Sequence, residues 1–171
     1  MNTKNVLRIV CSIALVLSGL ASLLLPSVVA QAGSNLVQNP SFETAGAGGA
    51  ADAANWSEVA NQVRAGDKFR TGAWSLKSTI TTNGATSQGV SVVPNTAYTF
   101  SGYAWKTNTV GNACIDMSDI VGETQRCTTA AGSWVFLTGA WNSGTNSAIT
   151  VRAYVDGNPT GAIWFDDFSI E

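Results

Sequence analysis

The feature that most restricts this chain is a strict two-residue alternation near its end. Across residues 148–155, Ile149, Val151, Ala153 and Val155 are apolar or small, while Thr150, Arg152 and Tyr154 between them carry polar atoms. Successive side chains of a strand point to opposite faces, so this pattern describes a strand with one buried and one wet face. Similar short apolar runs, rich in Val, Thr and aromatic residues and broken by Gly, Pro, Asn and Asp, recur from residue 33 onward, and helical periodicity is nearly absent. Strands are predicted at 36–37, 41–43, 56–60, 62–64, 73–80, 87–93, 97–105, 113–117, 133–141, 148–155 and 162–170. The Gly- and Ala-rich segment 45–54 has no periodicity and is predicted as a flexible loop. Many short strands at close spacing fold as two antiparallel sheets packed face to face. The expected class is therefore all-β, a β-sandwich of the jelly-roll kind.

The first 32 residues are set apart from this pattern. Lys4 and Arg8 precede an apolar run from Ile9 to Leu25, and Ala30-Gln31-Ala32 has the small-x-small form of a cleavage site. This predicts a secretory signal peptide over 1–32, with a single domain over 33–171. The competing reading is a retained membrane anchor, since the apolar run taken from Ile9 to Ala30 is long enough to span. Two of the nine Lys and Arg lie in that leader. The domain therefore holds seven basic against eleven acidic residues, 7 − 11 = −4, which argues against a nucleic-acid partner. There is no His, so no histidine base, triad or metal ligand is available. Cys114 and Cys127 are expected to form one disulfide in an oxidising, extracellular compartment, the alternative being two free thiols.

Carboxylates are few. The closing stretch 163–170 holds adjacent Asp166 and Asp167 inside an aromatic, β-branched run. A buried unpaired charge is costly, so these acids need a partner. In a sandwich the first and last strands often pair, which would bring Glu43 near Asp166. Three readings follow: hard-oxygen ligation of calcium, an ion pair with Arg70 or Lys68, or a glycosidase acid pair.

The motifs resemble a known family. Asn35-Leu36-Val37-Gln38-Asn39-Pro40-Ser41-Phe42-Glu43 is similar to the N-L-x-x-N-P-x-F-E opening of CenC-type carbohydrate-binding modules of families 4, 9 and 22. Trp56 after the first loop, Gly72-Ala73-Trp74-Ser75-Leu76-Lys77, the segment Gln88 to Ser101 and the ending Ile163 to Ile170 agree with that family in order and spacing. The resemblance implies a galactose-binding-domain-like jelly roll with a structural calcium. Its ligands would be the side chains of Glu43, Asp67 and Asp166 and the carbonyls of Ser41 and Arg70. It also implies a secreted, non-catalytic module, expected as a monomer, that binds a polysaccharide or oligosaccharide. The alternatives are a small glycoside hydrolase or its accessory subunit, and an adhesion domain that binds no sugar.

Sugars stack on aromatic rings and present hydroxyls to polar side chains. The candidates on strand faces are Tyr103 and Trp105 in one strand and Arg152 and Tyr154 in another, with Gln88, Arg64 and Gln62 as polar support. Trp56, Trp74 and Trp134 are expected in the core, and Trp164 is undecided because a bulge at Asp166-Asp167 would change its parity.

Overall fold

The computed structural model describes residues 33–118 and 125–171. The predicted leader lies outside the described residues. Eleven strands follow in chain order: β1 (Ala45–Gly46), β2 (Gly49–Ala53), β3 (Gln62–Ala65), β4 (Ser75–Ser78), β5 (Gly84–Ser91), β6 (Ala97–Lys106), β7 (Asn112–Ser118), β8 (Arg126–Thr128), β9 (Val135–Asn142), β10 (Ala148–Asp156) and β11 (Ile163–Ile170). They form a four-stranded sheet in the order β5-β10-β7-β8, a five-stranded sheet in the order β3-β4-β11-β6-β9, and the small hairpin β1-β2. Every pairing is antiparallel, as the sequence predicts for a sandwich.

The alternation of residues 148–155 is the alternation of β10. Ile149, Val151, Ala153 and Val155 are buried, and Thr150, Arg152 and Tyr154 are half-buried on the opposite side. The inward side of β10 meets Ile115 and Met117 of β7 and Val90 of β5 in one core. Phe100 and Ala104 of β6, Leu76 of β4 and Phe165, Phe168 and Ile170 of β11 enter it from the other sheet. Phe42, Trp56 and Phe168 form the aromatic centre, with ring centroids 5.0–6.0 Å apart. Both inner faces are consumed by this core, so any ligand must meet one of the two outer faces or the loops at their ends.

Two expectations are corrected. Residues 36–37, 41–43 and 56–60 are not strands. Leu36 gives one backbone hydrogen bond to Ile170, and Ser57 makes an isolated bridge to Ser87. The reason is local: Asn39 and Phe42 have left-handed backbones (φ 48° and 58°), a conformation that interrupts a ladder. Conversely, part of the expected loop 45–54 forms the hairpin β1-β2, and the short strand β8 was not predicted. Cys114 and Cys127 face each other in register on β7 and β8 and are joined as a disulfide.

That bridge closes a loop of 13 residues. In the chain-entropy description this constrains the unfolded chain by about 3 kcal/mol. The double variant Cys114→Ser/Cys127→Ser should therefore show an unfolding free energy lower by roughly that amount in urea titration. An unchanged midpoint would show that β8 is held by other contacts.

Candidate functional site

The site candidates divide according to the sheet that carries them. Tyr103 and Trp105 point outward from β6 in the five-stranded sheet. Tyr103 pairs with Asp166 of β11 and Phe136 of β9, and Trp105 pairs with Trp164 of β11. Arg152 and Tyr154 point outward from β10 in the four-stranded sheet. The core lies between the two pairs. They stand on opposite faces and cannot form the single site that the sequence suggested.

On the five-stranded face the rings are covered by a loop. The segment Gly66–Trp74 places Lys68 Nζ 4.0 Å from the Trp105 centroid and the Arg70 guanidinium 3.6 Å from that of Tyr103. Lys77 of β4 lies 5.1 Å from the Trp164 ring, which also packs edge-on against Trp105. Trp164 is consequently only 6% exposed although it points outward. A cation over a ring face is attracted to its quadrupole. It also occupies the surface on which a sugar would stack.

The carboxylates explain why the loop lies there. Asp166 is fully buried beneath it: Oδ2 accepts the backbone N–H groups of Arg70 (2.7 Å) and Thr71 (3.2 Å), and Oδ1 accepts that of Asp167. Burial pushes the Asp166 carboxyl up to about 7, against the lowering effect of the Arg70 and Thr71 N–H groups and with help from the Asp167 charge. Asp167 occupies the bulge between Asp166 and Ser169 with φ 52°, and it takes the Arg70 guanidinium at 2.7 Å and the hydroxyls of Ser41 and Thr71. Burial alone would raise its carboxyl. The Ser41, Thr71 and Arg70 hydrogen bonds outweigh that and hold it below the ordinary value. At the other end of the loop, Glu43 Oε1 accepts the N–H groups of Ala73 and Trp74.

The five expected calcium ligands are not gathered as a unit. Asp67 stands apart, with Oδ1 accepting from the Trp164 indole at 2.9 Å and Oδ2 ion-paired with Lys77. Arg70 presents its N–H, not its carbonyl, to Asp166. Among the described residues no three carboxylates converge. Glu43, Asp166 and Ser41 do surround the same loop. Asp166 is moreover a buried carboxyl with backbone donors and, among the described residues, no ion-pair partner, since the Arg70 guanidinium is on Asp167. Asp67 is not part of this cluster.

Two polar candidates are corrected outright. Gln88 is 6% exposed, and its amide is fixed to the Gln38 N–H, the Gln38 carbonyl and the Asn55 carbonyl. Arg64 is also 6% exposed and donates to the carbonyls of Phe42, Ala50 and Glu43 while lying 3.6 Å from the Trp74 ring centre. Gln62 is buried against Ser78. Gln88 and Arg64 secure irregular backbone, including left-handed Phe42, while Gln62 donates to the Ser78 hydroxyl. Of the tryptophans expected in the core, Trp56 is there; Trp74 and Trp134 are half-buried.

The outer face of the four-stranded sheet is different. Tyr154 stands beside Arg152, whose guanidinium is ion-paired with Asp116 on the neighbouring β7. Asp116 is the partner of Arg152 that sequence reasoning missed; the signal available was its outward parity in β7. Ser87 continues the Arg152 row onto β5, and Gly89 lies in the next row opposite Thr150. A side-chain carbon at Gly89 would meet nothing within 4 Å. Among the described residues the sheet surface is open at Gly89, beside the half-buried Tyr154 ring and Arg152 guanidinium, whereas Asp116 is only 6% exposed.

The fold has known counterparts. A family 61 carbohydrate-binding module solved with β-1,4-galactotriose superposes with a TM-score of 0.63 at 17% identity, over 81% of this chain and 99% of that one. A family 16 carbohydrate-binding module gives 0.59 at 14% identity, over 80% and 99%. The family 22 xylan-binding domain of Paenibacillus barcinonensis Xyn10C gives 0.57 at 19% identity, over 83% and 96%. No family model and no curated protein matches the sequence. At these identities the likeness is one of fold: the chain has the jelly-roll architecture of carbohydrate-binding modules.

Gln88→Ala should remove three hydrogen bonds that fix Gln38 before β1 and Asn55 after β2, and lower the unfolding free energy by roughly 2–4 kcal/mol. A chemical denaturation midpoint matching that of the unmodified protein would contradict its placement as a structural residue.

Proposed function

We propose that this protein is a secreted, non-catalytic carbohydrate-binding module that takes a neutral polysaccharide or oligosaccharide on the outer face of its four-stranded sheet. The observation that carries the reading is the outward cluster of Tyr154 and Arg152 beside the uncovered backbone at Gly89, with Asp116 holding Arg152. The Arg152 guanidinium lies 5.4 Å from the Tyr154 ring centre on one side, and the other side of that ring can carry the apolar face of a pyranose. The Arg152 guanidinium, oriented by buried Asp116, offers donors to adjacent hydroxyls, and Gly89 lets a chain approach the sheet. Because guanidinium and carboxylate neutralise one another, an uncharged glycan suits the site better than an acidic one. The fold shared with sugar-binding modules and the disulfide, which suits an oxidising compartment, support the same reading. The glycosidase alternative is disfavoured by geometry, since Asp166 is buried and Asp167 is tied to Arg70, Ser41 and Thr71.

The reading is tested by affinity electrophoresis in gels containing neutral polysaccharides. The unmodified protein should be retarded by at least one of them. Tyr154→Ala should abolish that retardation, and Arg152→Ala should weaken it by roughly tenfold or more. Lack of retardation by every neutral glycan would overturn the function. Retardation indifferent to Tyr154→Ala would overturn the site.

Calcium belongs to the same proposal as a structural ion held by Glu43, Asp166 and the Ser41 carbonyl. When bound it would supply the positive charge that buried Asp166 lacks. Chelation should then lower the melting temperature of the unmodified protein and leave that of Asp166→Asn unchanged. Equal melting curves with and without chelator for the unmodified protein would exclude the ion.

A further inference from the structure

The outer face of the five-stranded sheet has a feature that the glycan reading of the opposite face does not use. Trp164, Trp105 and Tyr103 lie in adjacent positions across β11 and β6, with Lys77, Lys68 and Arg70 over them in the same order. Lys77 is ion-paired with Asp67 and Arg70 with Asp167. Lys68 is in none of the three ion pairs among the described residues. Elsewhere, Arg64 and Lys106 are buried, Arg152 is paired with Asp116, and Arg126 is hydrogen-bonded to the Gln125 carbonyl. Lys68 is thus a half-buried cation with no carboxylate facing it among those residues.

Beside it lies an uncovered aromatic surface. Phe136 of β9 is 52% exposed and rests against Tyr103, with centroids 4.9 Å apart, and Phe69 next to Lys68 is 43% exposed. Unlike Tyr103 and Trp105, Phe136 has no cation over its ring among the described residues. The next outward position along β6 from Tyr103 is Trp105, about 7 Å away by strand geometry, and Lys68 sits over that ring. In the opposite direction the next row presents the hydroxyls of Ser101 and Thr138. A platform, hydroxyls on one side and one unmatched positive charge on the other suit a sugar that carries a carboxylate.

We propose that this face is a second ligand surface, for an acidic, uronate-bearing polysaccharide, with Phe136 as the stacking platform and Lys68 as the partner of the carboxylate. A neutral glycan would leave Lys68 unanswered. A nucleic acid requires several unpaired cations, and Lys77 and Arg70 are already neutralised. The surface is separated from Tyr154 by the whole core, so the two sites act independently and one module can hold two chains.

The test is affinity electrophoresis against polygalacturonate. The unmodified protein should be retarded, and ionic strength near 1 M, where screening falls to about 3 Å, should release it. Lys68→Gln should weaken retardation roughly tenfold, Lys68→Arg should retain it, and Phe136→Ala should weaken it. Tyr154→Ala should leave it unchanged. No retardation by polygalacturonate, an unaltered response in Lys68→Gln, or a loss in Tyr154→Ala would each overturn the second surface. Neutral-glycan gels report separately on the first.

Discussion

The carboxylate of Asp166 is the constraint from which much of this structure follows. It points outward from β11 and yet is fully buried, so it must be solvated by the protein itself. The donors come from the backbone of the loop at Arg70 and Thr71, and meeting them draws that loop across the five-stranded sheet. Once there, the loop lays Lys68 over Trp105 and Arg70 over Tyr103. Asp167 and Glu43 fasten the same loop at further points. The acids that first suggest catalysis thus decide which aromatic rings are available for recognition.

The result is a module whose two outer faces differ in kind. One is roofed by a cation-bearing loop and exposes aromatic surface at Phe136 on its β9 side and at Phe69 in the loop. The other presents Tyr154 and Arg152, the latter held by buried Asp116, beside the uncovered backbone at Gly89. Arg64 and Gln88 contribute indirectly. They hold the irregular chain before β3, including left-handed Phe42, so that Trp56 can fill the core and the sheets can pack.

Much of the fold is legible from the residues because strand parity is a local property. The alternation in β10 and the continuous runs of β6 and β11 state which side is buried without reference to any neighbour. What parity does not reveal is what lies above a face. Tyr103 and Trp105 read as displayed aromatics, and their cover comes from a loop roughly 35 residues earlier in the chain. Gln88 and Arg64 read as ligand contacts for the converse reason: their backbone partners are irregular carbonyls and N–H groups that no periodicity announces. Asp67 sits in the expected loop, but the indole of Trp164 and the ammonium of Lys77 compete for it. Assigning Arg152 and Tyr103 to one site fails at the level of topology, because sheet membership is set by long-range pairing.

The central claim is that a neutral glycan is held on the four-stranded face, far from every tryptophan on the other sheet. A two-dimensional amide spectrum of the isotopically labelled protein, titrated with a neutral oligosaccharide, tests it most directly. The account predicts shifts concentrated at Ser87, Gly89, Asp116, Arg152 and Tyr154, with the indole signals of Trp105 and Trp164 unmoved. Shifts confined to those indoles and to the loop around Lys68 and Arg70 would contradict it.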